Sequence, residues 1–190
     1  WIDLHPGMQH TMWADIVLKN QFETLVTMST SGAITPLAAK SWKISKDFRT
    51  YTFQIDTDRK YSDGSYLCAV DFKNSWEASL RMQPKSANRG GQDIFGFLSG
   101  YKNFKTLDHL SGIRVLDSDE LQIQFTKPYR MALSKLSGSR FAAFKNTDQG
   151  TTIGTGHYIV QELSKTELNL VPNPYFSKSN LGVSAEAILP

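Results

Sequence analysis

A single cysteine, Cys68, rules out an internal disulfide, a four-thiolate zinc site and CxxC redox chemistry. Long apolar runs are missing too. The longest, such as Phe141-Ala142-Ala143-Phe144, fall far short of the ~18 residues a spanning helix needs. Charge of one sign is scarce: 21 Lys and Arg stand against 18 Asp and Glu, a formal balance of +3. No block of Lys and Arg concentrates that excess, so no nucleic-acid partner is expected. Lys40, Lys43 and Lys46 alternate with apolar residues and read as the wet side of a strand-rich segment.

Catalytic signatures are equally sparse. No Gly-x-Ser-x-Gly occurs, and Ser137-Gly138-Ser139 does not replace it. Gly154-Thr155-Gly156 lacks the third glycine and the following helix of a dinucleotide loop, so it reads as a tight turn into a strand. His5 and His10 share a loop, but their spacing fits no helical ligand pattern and no further His or Cys is nearby in sequence. Asp117, Asp119 and Glu120 lack the glycine and spaced oxygens of a calcium loop and read as a solvated turn. No catalysis, metal or cofactor is expected.

What is present is an ordinary globular composition. Hydrophobic residues make up 40% and aromatics 12% of 190 residues. A chain of this size buries roughly 70% of its unfolded surface. Trp13, Ile16, Val17, Phe22 and Leu25 recur near the helical period, predicting a helix over 12–25 behind a His5-Pro6-Gly7 turn. The first few residues read as a short strand or extended lead-in. Phe72, Trp76 and Leu80 predict a second helix from Cys68, ended by Pro84, and Lys85 to Gly91 reads as a mobile loop. Further helices are expected over 94–101 and, beginning near Pro128, over 129–136. Alternation predicts three antiparallel hairpins: Trp42 and Ile44 with Tyr51, Phe53 and Ile55; Ile113 and Val115 with Leu121, Ile123 and Phe125; Tyr158 and Val160 with Leu168 and Leu170. The fold class is mixed α+β.

Six motifs follow in order: Gln21-Phe22-Glu23-Thr24-Leu25-Val26; Gly32-Ala33-Ile34-Thr35-Pro36-Leu37-Ala38-Ala39-Lys40-Ser41-Trp42-Lys43-Ile44-Ser45; Thr50-Tyr51-Thr52-Phe53-Gln54-Ile55; Lys60-Tyr61-Ser62-Asp63-Gly64; Gly154-Thr155-Gly156-His157-Tyr158; and Asn173-Pro174-Tyr175-Phe176. Together they resemble the family 5 bacterial extracellular solute-binding proteins, the oligopeptide, dipeptide and nickel receptors of ABC importers. The likeness runs over roughly residues 3 to 181. Three positions depart from the family pattern. Cys68 replaces a capping Thr and leaves only Asp71 of the capping box, a loss of about 0.5–2 kcal/mol unless Ser65 or a water substitutes. Phe48 replaces a glycine, and His157 replaces a proline.

The resemblance implies a periplasmic-binding-protein-like class II fold of which this chain is an N-terminal part, since complete members are much longer and two-lobed. Residues 1–32 and 152–190 are expected to belong to the lobe carrying the termini, and 33–151 to an inserted small α+β domain. Any export segment is expected to lie outside the chain. The implied role is the substrate-binding component of an importer, periplasmic or extracellular. Its partners are a peptide or related small solute and permease subunits, and it meets the membrane only through the permease or a lipid anchor outside this chain. Apolar surface meant for the second lobe is expected to be exposed, favouring self-association and leaving ligand binding weak.

The resemblance also places the segment before the first helix, His10, Thr11, Met12 and Trp13, against the ligand cleft. A flexible thioether and a rigid aromatic suit varied ligand side chains; Trp13 alternatively serves as core. Arg140 lies in a segment similar to one that bears a cleft arginine in the nickel branch, where it would grip a carboxylate through paired N–H donors. The alternative is a surface ion pair. Two competing functions remain: a ligand-sensing module of a regulator, distinguished by a fused DNA-binding segment, and a hydrolase, distinguished by turnover lost with one Ser or His.

Overall fold

The computed structural model describes residues 4–8, 11–82, 94–104, 109–147, 151–164, 167–176 and 185–188. The loop expected over 85–91 and the stop at Pro84 lie outside them, as do residues 1–3. Residues 4 and 5 form no strand.

A four-stranded antiparallel sheet of order β3-β4-β6-β5 carries the main core, with β3 at Ala39–Ile44, β4 at Thr50–Ile55, β5 at Ile113–Asp117 and β6 at Glu120–Gln124. Two of the expected hairpins are present here. Trp42 pairs with Phe53 and Ile44 with Tyr51, and β4 then pairs with β6, Tyr51 opposite Ile123 and Phe53 opposite Leu121. Period-2 alternation turns Tyr51, Phe53, Ile55, Leu121 and Ile123 to one buried face. The other face carries Thr52, Gln54 and Gln122, and Lys40, Lys43 and Lys46 are all exposed.

Helix α2, Ala69–Met82, packs across β5 and β6. Phe72 and Trp76 are fully buried, and the Trp76 indole donates to the Phe141 carbonyl at 2.9 Å. Ser75 Oγ accepts the Phe144 N–H at 2.8 Å, which fastens the same segment to the helix. The surviving half of the capping box works as its chemistry requires: Asp71 accepts the Cys68 N–H at 2.8 Å. Ser65 does not substitute for the missing cap: its hydroxyl donates to Asp63, and its oxygen accepts from Lys145 Nζ at 3.0 Å.

The first helix is shorter than its periodicity predicts. Helix α1 spans Met12–Gln21, and Phe22 is already extended at φ −129°. The helix end is met by another segment: Gly156 N–H donates to the Gln21 carbonyl at 3.0 Å. A Cβ on Gly154 would stand 2.2 Å from that carbonyl oxygen, and one on Gly156 2.4 Å from the Asn20 oxygen. The Gly-Thr-Gly motif is therefore a close-approach seat for the C-terminus of α1. The buried face of α1 is Ala14, Val17, Leu18 and Gln21, so Trp13 and Ile16 are left exposed.

The remaining elements are small. Strand β1, Val26–Met28, pairs with β2, Ile34–Pro36, around the expected turn. In place of one helix over 94–101, 3-10 segments occupy Ile94–Phe97 and Tyr101–Asn103, broken at Gly100, whose φ of 81° no right-handed helix accepts. Helix α3 spans Ala132–Leu136 and starts later than expected: the Ala132 N–H closes an i,i+3 turn on the Tyr129 carbonyl at 3.2 Å, while the Tyr129 N–H donates to the Phe48 carbonyl at 2.9 Å. Strands β7, Lys145–Asn146, and β8, Thr152–Ile153, form a short pair. The third expected hairpin is β9, Tyr158–Leu163, against β10, Glu167–Pro172, with β11, Ala185–Ile188, on the far edge. Val17 of α1 packs on this sheet with Leu168 and Leu170.

Candidate functional site

An open cavity of about 380 Å³ lies where the N-terminus of α1 meets the segment that follows α3. Met8, Thr11, Met12 and Asp15 line one part, and Gly138, Ser139 and Arg140 the other. The two parts are joined directly, since Ser139 Oγ donates to Asp15 Oδ1 in a short hydrogen bond. Ser139 is itself buried, so the bond fixes the short 3-10 turn Ser139–Phe141 against the helix.

Each lining group has a local cause. Thr11 is the N-cap of α1, extended at φ −72° and ψ 165°, and its hydroxyl accepts the Ala14 N–H at 3.2 Å. Met12 follows as the first helical residue and stands 76% exposed at the cavity mouth. Met8 arrives by the His5-Pro6-Gly7 turn, where the Met8 N–H donates to the His5 carbonyl at 3.0 Å and the Gly7 N–H to His5 Nδ1 at 3.0 Å. Gly7 also rests against α2, where a Cβ would stand 2.5 Å from Ser79 Oγ. Asp15 completes the wall and forms an ion pair with Lys19 at 2.8 Å, one helical turn on.

Arg140 is half-buried, with its guanidinium 5.9 Å from the centre of the Phe95 ring and 5.8 Å from that of Phe141. Both rings lie within cation–π range of the guanidinium. The cavity thus combines two thioethers, a carboxylate and a guanidinium. Such a surface binds by adaptable apolar contact and by charge, and the described residues contain no group of three or more His, Cys, Asp or Glu that could hold a metal ion.

Of the residues singled out from the sequence, Thr11, Met12 and Arg140 meet at this cavity. Trp13 is 55% exposed on the same helix but does not line it, and His10 lies outside the described residues. Met8, Asp15 and Ser139 were not anticipated. Asp15 carried a signal in its i,i+4 spacing to Lys19, whereas the Ser139 bond spans 124 positions and no local pattern encodes it.

A second polar arrangement escaped the sequence reading. Glu23 and Arg59 form a buried ion pair, and Arg59 also donates to the Leu37 carbonyl at 2.6 Å and stands 3.3 Å from Asp56. Asn173 links two motifs: its side-chain amide donates to the Gly156 carbonyl at 2.9 Å, and its Oδ1 accepts the Tyr175 N–H at 3.0 Å. His157 meets the Phe176 ring in a tilted arrangement, 35° between planes and 3.8 Å between ring centres.

Comparison with known proteins places the fold in a family. The family model for bacterial extracellular solute-binding proteins, family 5, middle, matches residues 33–183. The periplasmic murein peptide-binding protein MppA of Escherichia coli K12 is 29% identical over 177 residues, covering 84% of this chain and 32% of MppA. The nickel-binding periplasmic protein of the same organism is 30% identical over 151 residues, covering 74% and 26%. Among solved structures, a periplasmic oligopeptide-binding protein of Borrelia burgdorferi, OppAIV, superposes with a TM-score of 0.82 at 20% identity, covering 98% of this chain and 40% of that one. The chain spans about a third or less of the length of the two sequence relatives, 32% and 26%. With the family model covering most of its length, the chain belongs to the family 5 bacterial extracellular solute-binding proteins.

Proposed function

We propose that this chain belongs to the substrate-binding component of an ABC importer, which captures peptides outside the cytoplasmic membrane and hands them to a permease. Binding proceeds without bond chemistry. The observation that carries this reading is the cavity lined by Met8, Thr11, Met12, Asp15 and Arg140. Thioethers accept side chains of varied shape, and the guanidinium suits a peptide carboxylate. In this reading residues 1–32 and 152–190 belong to the lobe carrying the termini, and 33–151 form the inserted domain.

Closed ligand pockets bury most of a ligand's surface, whereas this cavity is open on one side, so the chain alone is expected to bind weakly, at about 1 mM. The test is titration of trialanine into chain labelled with 13C at the methionine methyls. Saturable shifts at Met8 and Met12, with Met28, Met82 and Met131 unmoved, support the reading. Arg140→Ala should weaken the response of the same two methyls. Shifts spread evenly over all five methionines, or none at all, would overturn it.

A further inference from the structure

Methionine ordinarily fills gaps in cores, yet none of this chain's five is buried. Met12, Met28, Met82 and Met131 are exposed, and Met8 is half-buried. Two of the five, Met8 and Met12, line one cavity, with Arg140 on its other part. A thioether open to solvent is open to two-electron oxidation, which turns a flexible apolar side chain into a polar one.

We propose that Met8 and Met12 are a modification site, a thioether pair whose oxidation by hydroperoxides makes the cavity polar and lowers its affinity for ligand. The second half of this inference rests on the peptide-binding reading above. A lone pair on Sδ attacks the outer oxygen of the hydroperoxide. The S–O bond forms as the O–O bond breaks, and the proton of the attacked oxygen passes to the departing oxygen, which leaves as water or an alcohol. Sulfur loses two electrons and the peroxide gains them.

Two consequences follow at the cavity. The sulfoxides no longer offer the soft apolar contact that adapts to side chains. Each new S–O dipole also presents a strong acceptor on a cavity shared with the Arg140 guanidinium, where it competes with an incoming carboxylate. Methionine sulfoxide reductases reverse the reaction, one for each sulfoxide epimer, so the change is a switch and not a terminal lesion.

The experiment uses the full chain with Met28, Met82 and Met131 each replaced by Leu, labelled at the two remaining methionine methyls and treated with hydrogen peroxide. Both should gain one oxygen while the chain stays folded by its aromatic circular dichroism. Their response to trialanine should fall about tenfold, and the two reductases together should restore it. Should the triple variant not fold, site-resolved mass spectrometry and trialanine titration of the wild-type chain give the same readings. Methionines that resist peroxide until the chain unfolds overturn the inference, as does a trialanine response that survives their conversion. A reduced chain that ignores trialanine instead fails the peptide reading and removes the affinity step with it; oxygen gain is scored by mass without any ligand, so the two failures are told apart.

Discussion

Arg59 reaches from the turn after β4 to Glu23, just past the end of α1, and both side chains are less than a tenth exposed. The pair joins the stretch leading into β1 to a turn 36 positions away, and Arg59 adds the Leu37 carbonyl as a third anchor. Burying two charges is costly, and removing one leaves the other uncompensated. Arg59→Met should therefore cost about 3–5 kcal/mol in urea denaturation, and Glu23→Gln a smaller amount because the amide can still accept. The double variant Glu23→Leu with Arg59→Met should recover much of the loss. A single Arg59→Met variant as stable as wild type would show that the charges are not sealed from water.

Gly154 and Gly156 make a sharper steric demand. A Cβ at either position would meet backbone at the end of α1, and backbone cannot swing aside as a side chain tip does. Gly156→Ala should destabilise the chain by about 1–3 kcal/mol through overpacking. Gly96→Ala is the control, since nothing lies within 4 Å of that position. Thermal melts of the two variants side by side decide the point; equal midpoints would mean that the helix end shifts freely.

The same contacts explain what could be read from the sequence and what could not. The three hairpins and α2 were legible because each is a local periodicity, 2 for Tyr51, Phe53 and Ile55 and 3.6 for Phe72 and Trp76. The end of α1 was not: Phe22 and Leu25 continue the apolar pattern, and the stop comes from the distant Gly154 and Gly156. Exposed Trp13 misleads in the same way, because periodicity records which residues are apolar and not which face finds a partner. The cavity was half legible. Thr11, Met12 and Arg140 came from family likeness, while the bond from Ser139 that draws the two segments together depends on the tertiary fold.

Phe48 stands at φ 57°, the one non-glycine residue with positive φ among those described. An L-residue there gives up about 1–2 kcal/mol relative to a right-handed conformation. Compensation is visible: the Arg130 guanidinium sits 3.7 Å from the centre of the Phe48 ring, a contact worth about 0.5–1 kcal/mol at an exposed site. Phe48→Gly removes strain and contact together and adds freedom to the unfolded chain, so its net effect should stay within about 1 kcal/mol of zero. In an Arg130→Ala background the contact is already gone, and the same substitution should become more favourable. Chemical denaturation of the four chains forms the cycle, and identical effects in both backgrounds would mean the stacking contributes nothing.

Acid should undo two turns before it reaches the core. The Ser45 hydroxyl and then the Arg49 N–H hold the Asp47 carboxyl below its ordinary range. At Asp63 partial burial pushes upward, but the hydroxyl and N–H of Ser65 outweigh it and the net shift is also downward. A carboxyl lowered in the folded state stabilises it above the unfolded value, and that contribution is lost as pH falls through the folded value. The window therefore opens below about pH 4, the ordinary aspartate range. Lys40 shifts the opposite way, raised chiefly by its bond to Asp56, so its contribution is complete below the unfolded lysine value and disappears only as strongly alkaline pH passes the folded one. Carboxyl-carbon NMR titration checks the first pair: Ser45→Ala should move the Asp47 midpoint up while leaving Asp63 in place, and Ser65→Ala should do the reverse. Midpoints that move together, or not at all, would assign the shifts to the chain's overall charge instead of to these two turns.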